Sequence, residues 1–374
     1  MRDHFLLDPN VVFLNHGSFG ACPAPVFAEY QRWQRELERQ PVEFLGRRAD
    51  ALLGEARSAL GAYLNAPPET LIFVPNASHG VNLVAKSLPL RPGDEILTTY
   101  HEYGANDQMW DHLVGKAGAT VIRQPIPLPV TTHAEFVDQL WAGVTPRTRL
   151  IFLSHVTSPT AIIFPVAEIC RRAREAGILT LIDGAHAPGQ IPVDLTAIGA
   201  DFYTGNLHKW LCAPKGAAFL YARPDQQAWL EPLVFSWGWG PDTDFVTRNQ
   251  WQGTRDIAAF LSVPAAIRFQ AEHDWPAHRE RCHELARQTR AAFAEITGLT
   301  PLHPDSAEWY AQMVAAPLPE NCDPNALKAA LYDQYRVEIP VILWGGWRLI
   351  RASYQAYNTP ADLTALAEAL RALL

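Results

Sequence analysis

The chain has 374 residues, 48% hydrophobic and 19% charged, which is enough apolar material for a sizeable core and long enough to predict two domains. A net charge of −8 argues against the basic face that nucleic-acid binding normally needs. Cys22, Cys170, Cys212, Cys282 and Cys322 are odd in number and form no CxxC pair, which argues against a disulfide framework or a zinc site and predicts a reduced, cytoplasmic setting. MRDHFLLDPN is too charged for a signal peptide, and no apolar run reaches the length of a membrane span.

In chain order, FLLDPNVVFLNHGSFGACPAP reads as an extended segment with turns at Gly17, Gly20, Pro23 and Pro25. Helical spacing over residues 26–63 is interrupted by Pro41, which predicts two helices. TLIFVPNASHGVNLVAKSL passes from a β-branched strand into a helix. The first amides of that helix, at Ala77 and Ser78, need an N-cap and equally suit a phosphate. DEILTTYHEYGANDQMW reads as a strand ending in His101, Glu102 and Tyr103, where an aromatic side chain can either cover a flat ring or pack at the sheet edge. Strands over 120–126 and 149–154 bracket a helix over 133–144. A helix over 166–176 then ends at Gly177 before a strand over 178–182, so strands and helices alternate as in βαβ units.

The stretch LTLIDGAHAPGQIPVDLTAIGADFYTGNLHKW, residues 179–210, organises the rest. Asp183 ends an apolar strand, where an unpaired carboxylate is costly and should meet a cation, either an arginine or a protonated ring nitrogen. A second strand over 201–204 delivers His208 and Lys209. Ligands of open parallel sheets bind at the carboxyl ends of the strands, so an acid, the imidazole of His186 and an amine share one rim. Pyridoxal phosphate needs a lysine for its aldehyde and a carboxylate to keep its ring nitrogen protonated, and Asp183 and Lys209 suit those roles. The chain has only five lysines, Lys86, Lys116, Lys209, Lys215 and Lys328. An amine in an apolar or cationic pocket has a lowered pKa and serves as nucleophile and base, which is the expectation for Lys209.

From FLNHGSFGACPAP through LIDGAH, NLHKW, PKG and WQGTRD to LIRASYQAYNTPADL, the chain resembles the class V aminotransferase family of fold type I pyridoxal-phosphate enzymes. The resemblance implies an α/β fold. Residues 16–257 would form a large domain around a mostly parallel seven-stranded sheet flanked by helices, and residues 1–15 with 258–374 a smaller α+β domain. It also implies site roles: Asn15 and His16 as substrate contacts, Ala77, Ser78 and His208 at the cofactor phosphate, and Tyr103 over the ring, where many members carry histidine. Ser158 stands where an asparagine is common, with His155, Thr157 and Thr160 as alternatives, and His186 falls beside the ring oxygen. Gly253 and Thr254 would reach the phosphate of the partner subunit's cofactor, which implies a homodimer with shared active sites. Arg351 would grip the α-carboxylate of an amino-acid-like substrate through its planar fork, with Arg348 as competitor.

Removal of the Cα proton by Lys209 is the step common to racemisation, transamination and β-elimination. HEYGAN and HVTSPT resemble the isopenicillin N epimerase branch, whereas the cysteine desulfurases need a mobile cysteine shortly before the arginine matching Arg351. Here the closest preceding cysteine is Cys322. Epimerisation needs a second proton donor, for which Tyr103 and His16 are candidates. A pyridoxal-phosphate protein without turnover is the alternative of another class, and a hydrolase built on Asp183, His186 and His208 lacks a GxSxG elbow. Trp229, Trp237, Trp239 and Trp251 form an aromatic stretch suited to a substrate pocket or a dimer interface. From Ala258 onward a single long helix is expected to run through Arg268 and Arg279 to Ile296.

Overall fold

A computed structural model describes residues 1–374. Its centre is a seven-stranded sheet of β1 (Leu71–Val74), β2 (Glu95–Thr99), β3 (Thr120–Gln124), β4 (Thr148–Ser154), β5 (Leu179–Asp183), β6 (Phe202–Asn206) and β7 (Ala218–Ala222). The spatial order is β1-β7-β6-β5-β4-β2-β3, and β7 alone runs antiparallel to its neighbours. Both faces are covered, so the strands are apolar on both sides. Along β4, Leu150 and Phe152 enter a smaller core under helices α3 (Ala77–Ser87) and α4 (Gly104–Ala117). The alternating Ile151 and Leu153 enter the larger core, which holds the apolar faces of α5 (His133–Trp141) and α6 (Val166–Glu175).

A smaller antiparallel sheet, β8 (Met313–Pro317), β9 (Val341–Trp344) and β10 (Trp347–Ser353), has the order β9-β10-β8. It packs with α8 (Trp275–Thr297), α9 (Pro324–Tyr335) and α10 (Pro360–Leu373). The amino-terminal segment belongs with this sheet: Val12 and Phe13 pair in parallel with Val337 and Glu338, and Ser353 N donates to Leu14 O at 2.8 Å. The helix α7 (Val263–Glu272), just beyond the expected boundary at 257, packs on α1 (Ala24–Arg39) and α2 (Ala49–Leu64) rather than on the small sheet.

Of three local expectations, the break at Pro41 is present and the other two are corrected. Between α1 and α2, Pro41 starts a short turn that continues as a π-helical turn over Phe44–Arg48, so the chain bends in two steps. The long helix expected after Ala258 is broken at Asp274, whose φ is 46°. Pro276 lacks the N–H that would continue α7 and its ring would clash with the preceding turn, so the helix restarts with proline in its first turn. The third concerns Tyr103: β2 ends at Thr99, and Tyr103 is the N-cap residue of α4 rather than a strand end.

Candidate active site

The carboxyl ends of β1, β2, β4, β5 and β6 meet at one rim. After β1 the chain turns into α3, where Asn76 Oδ1 accepts from His79 N at 2.9 Å. Ala77 N donates to Asn206 Oδ1 at 2.8 Å, which ties this helix start to the end of β6 and places Ser78 on the cavity wall. Asp183 ends β5 only 4% exposed. Its Oδ1 accepts from Ala185 N at 2.9 Å and its Oδ2 from Asn106 Nδ2 at 2.8 Å, both uncharged donors. Burial raises the Asp183 pKa, opposed by Ala185 N, by Lys209 and by Asn106.

After β6 the chain turns through His208 and Lys209. His208 Nδ1 lies 3.1 Å from Ala217 O, and burial lowers its pKa to about 4. Lys209 Nζ lies 3.1 Å from His186 Nε2. Burial, with Arg351 nearby, brings the Lys209 amine down to about 7, against the opposing pull of Asp183. Over this turn passes the segment before α1, where Gly20 has φ +71° and an added Cβ would lie 2.0 Å from His208 O, so only glycine fits.

Arg351 comes from β10 of the small sheet. Its Nη1 donates to Ser158 O and, at 3.1 Å, to Ser158 Oγ, and its Nη2 to Ser18 Oγ at 3.4 Å. Its Nε is buried without an acceptor. Such an orphaned donor is costly inside a protein and fits an incoming carboxylate.

These groups line a cavity of about 420 Å³ whose wall includes Ala77, Ser78, Tyr103, Ser158, Asp183, His186, His208, Lys209 and Arg351. The donor set fits pyridoxal phosphate. A helix start with Ser78 on the same wall as His208 suits a phosphate, a buried carboxylate hydrogen-bonded only by uncharged donors suits a protonated ring nitrogen, and an amine with its pKa lowered to about 7 suits an aldehyde.

Other expected residues lie elsewhere. Asn15 and His16 are absent from the cavity wall. Asn15 Nδ2 donates to Glu338 Oε1 at 2.8 Å, and its Oδ1 accepts from Ser18, so Asn15 steadies a serine that in turn meets Arg351. His16 is fully buried, with Nδ1 2.9 Å from Tyr357 OH and Nε2 3.0 Å from Lys209 O. Burial takes its pKa down to about 3, so it stays a neutral imidazole whose Nε2–H is directed to the Lys209 carbonyl, away from the cavity. Gly253 and Thr254 do not line this chain's cavity. Arg348 Nε donates to Cys322 O at 2.9 Å, which leaves Arg351 as the arginine of the site. Thr157 and Thr160 are bonded to each other at 2.7 Å, and His155 Nδ1 lies 2.9 Å from Tyr203 OH, so Ser158 alone of that group is on the wall.

Sequence reasoning missed Asn106, Asn206, Trp210 and Glu102. The two asparagines sit where HEYGAN enters a buried helix turn and where TGN ends a strand, positions at which a buried amide must find partners. Glu102 is buried, accepts from Thr99 Oγ1 at 2.8 Å and from Ser154 N at 2.6 Å, and is pushed by burial to about 7.

Comparison with known proteins agrees with this geometry. The chain is 39% identical over 388 residues to the isopenicillin N epimerase of Amycolatopsis lactamdurans, covering 100% of this chain and 97% of that one. It is 29% identical to a probable chloroplastic L-cysteine desulfhydrase of Arabidopsis thaliana, over 98% of this chain and 84% of the relative. The crystal structure of a cysteine desulfurase from Escherichia coli superposes with a TM-score of 0.83 at 23% identity, over 100% of this chain and 97% of the other. The profile of the family described as "Aminotransferase class-V" matches residues 23–366. The chain therefore belongs to the class V aminotransferases, a family of pyridoxal-phosphate enzymes, and its α/β fold with a mostly parallel central sheet is of that kind.

Proposed function

We propose that this enzyme epimerises the α-carbon of an amino-acid-like substrate, as a homodimer, with isopenicillin N as the first compound to test. The observation that carries the reading is a lysine amine brought to about 7 beside a buried carboxylate and under an arginine with an unfilled donor. Pyridoxal phosphate, when bound, supplies the electron sink that weakens bonds at the substrate Cα. Arg351 takes the substrate carboxylate, because its planar fork matches two oxygens and its Nε lacks a partner. Lys209 takes the Cα proton, because an amine with a pKa near neutrality is free to accept it. Tyr103, about half exposed on the cavity wall, returns a proton from its phenol on the opposite side.

Two features favour epimerisation over desulfuration by a cysteine nucleophile. No cysteine lines the cavity, and Cys322 lies among the residues of a separate surface pocket in the small domain. The homodimer is supported by Gly253 and Thr254, which lie off this chain's own cavity. It is supported also by exposed apolar side chains at Val234, Phe235, Trp237 and Trp239.

The test is incubation of the purified enzyme with L- and D-substrates in deuterated water. Interconversion of the two forms with deuterium at Cα, and without keto acid or sulfide, is expected. Release of sulfide or keto acid as the main product replaces the reading by a lyase or a transaminase. Tyr103→Phe is expected to lose interconversion while keeping exchange at Cα, and full interconversion in that variant removes Tyr103 from the donor role.

A further inference from the structure

Trp210 follows Lys209 directly and is fully buried. Its indole Nε1–H donates to His186 Nδ1 at 3.3 Å, and the opposite ring nitrogen, Nε2, lies 3.1 Å from Lys209 Nζ. The turn carrying His186 is pinned on both sides. Gln190 Nε2 donates to His186 O at 2.6 Å, and Gly189, with φ +93°, sits so close that an added Cβ would lie 2.3 Å from the Trp210 carbonyl carbon.

An indole nitrogen can only donate, so Nδ1 is the acceptor of that bond. A neutral imidazole carries a single N–H, and the bond made by one nitrogen decides which of the two holds it. We propose that Trp210 is a positioning residue: its indole fixes His186 as the tautomer protonated on Nε2, so that a donor rather than an acceptor faces the Lys209 amine.

Two consequences follow for the chemistry. Lys209 must accept that bond through its lone pair, which requires the neutral amine. To take a proton from a substrate Lys209 turns that lone pair away from Nε2, and the proton it gains cannot pass to His186, because Nε2 is already filled and Nδ1 is turned to the indole N–H. The groups facing His186 are Lys209, Arg351, His16 and His208, and all of them, together with burial, oppose an imidazolium. Those facing Lys209 are Arg351, which opposes its ammonium, and Asp183, which favours it. The tautomer rests on geometry alone, whereas its consequence for proton retention rests on Lys209 being the base.

The test is nitrogen NMR of the ¹⁵N-histidine-labelled holoenzyme, with the His186 signals identified by their loss in His186→Gln. Wild type is expected to show a protonated Nε2 and a bare Nδ1. In Trp210→Phe, which keeps a ring and deletes the donor, and equally in Trp210→Leu, Nδ1 is expected to gain protonation. With an acceptor then facing the lysine, the pH midpoint of the visible cofactor band is expected to rise by about one unit, the worth of one hydrogen bond. A packing role alone would make the leucine variant worse than phenylalanine and leave the tautomer unmoved, which overturns the proposal. A bare Nε2 in wild type overturns it whether or not either variant folds. A protein without a visible band that still shows the protonated Nε2 overturns the cofactor reading and leaves the tautomer standing.

Discussion

The rim of the large sheet and the segment between Leu230 and Thr254 are opposite solutions to the placement of function-bearing side chains. On the rim, Asp183, His186 and Arg351 are buried, and hydrogen bonds from neighbouring elements hold them. In the other segment Phe235, Trp237 and Trp239 are 56%, 94% and 41% exposed, and the backbone is held chiefly by its own turns. Burial raises or lowers the pKa of almost every titratable group on the rim, so the rim is built for chemistry. The exposed segment spends apolar surface on water, which fits a face that another subunit covers.

The largest effect expected from breaking the rim is at Lys209. Lys209→Ala should abolish the visible band of the lysine-bound cofactor and reduce turnover by at least ~10³-fold, read from the absorption spectrum and initial rates. A variant that keeps the band would move the cofactor lysine to one of the four others.

Acid should undo the rim before it touches the exposed segment. His101 and His155 are buried with pKa values brought to about 4 by desolvation, so the unfolded chain binds protons that the folded one refuses. Their stabilising contribution is therefore complete above the ordinary histidine pKa of about 6.5 and is lost as pH falls towards 4, at roughly 1.4 kcal/mol per unit each. Glu102, raised to about 7, acts in the other sense: its contribution is full below its ordinary value and is lost as pH rises through 7. With several histidines against Glu102 and Asp183, the melting temperature should drop steadily from pH 6.5 to 4, and Glu102→Gln should steepen that drop over most of the range, because the glutamate opposes the histidines between its ordinary value and 7. A melting temperature constant over that acid range would contradict the assigned burial.

Asp183→Asn separates function from stability on the same rim. Turnover should fall by about 10²-fold, since an amide cannot hold a ring nitrogen protonated. The cofactor-stripped protein should gain stability by ~1 kcal/mol, because a buried charge is removed and Asn106 can flip to offer its currently unpartnered Oδ1 to the new amide. Urea unfolding of the stripped variant checks the second half, and a loss of stability would mean that Asp183 has a cation within the chain.

The α/β alternation was legible in the sequence because β-branched runs alternate with helical ones, whereas the seven-stranded sheet followed from the family resemblance, and the placement of Asp183 and Lys209 on one rim was legible because both fall at or just after the ends of apolar strands. Asn15 and His16 were not, since a motif tells which residues lie near a site but not which way they turn. His16 proves to be walled in by Tyr357 and the Lys209 carbonyl. Trp210 was invisible for another reason. Its role depends on an indole nitrogen meeting a ring 24 residues away, and such a meeting is set by the packing of two turns rather than by spacing along the chain. The break at Asp274 had a signal in Trp275–Pro276, overridden by the helical run on either side.

The exposed segment can be sharpened by a pair of variants with smaller effects. Trp237→Glu should weaken self-association by about 2 kcal/mol, roughly 30-fold, as for a tryptophan at the centre of an interface, read by sedimentation at several concentrations. Thr254→Ala should leave association unchanged and weaken cofactor retention by about 1 kcal/mol, roughly fivefold, as for one lost hydrogen bond, read by the rate at which the visible band is lost on dialysis. Thr254 does not line its own chain's cavity, so an effect on retention is expected to come from a second subunit. The decisive arm is the double variant. If Thr254 serves the neighbouring site, adding Trp237→Glu should remove the cost of Thr254→Ala at protein concentrations where the chain is monomeric, because no neighbour remains to serve. If the cost persists in the monomer, Thr254 acts within its own chain, and the contrast between a self-contained rim and a shared outer segment does not hold.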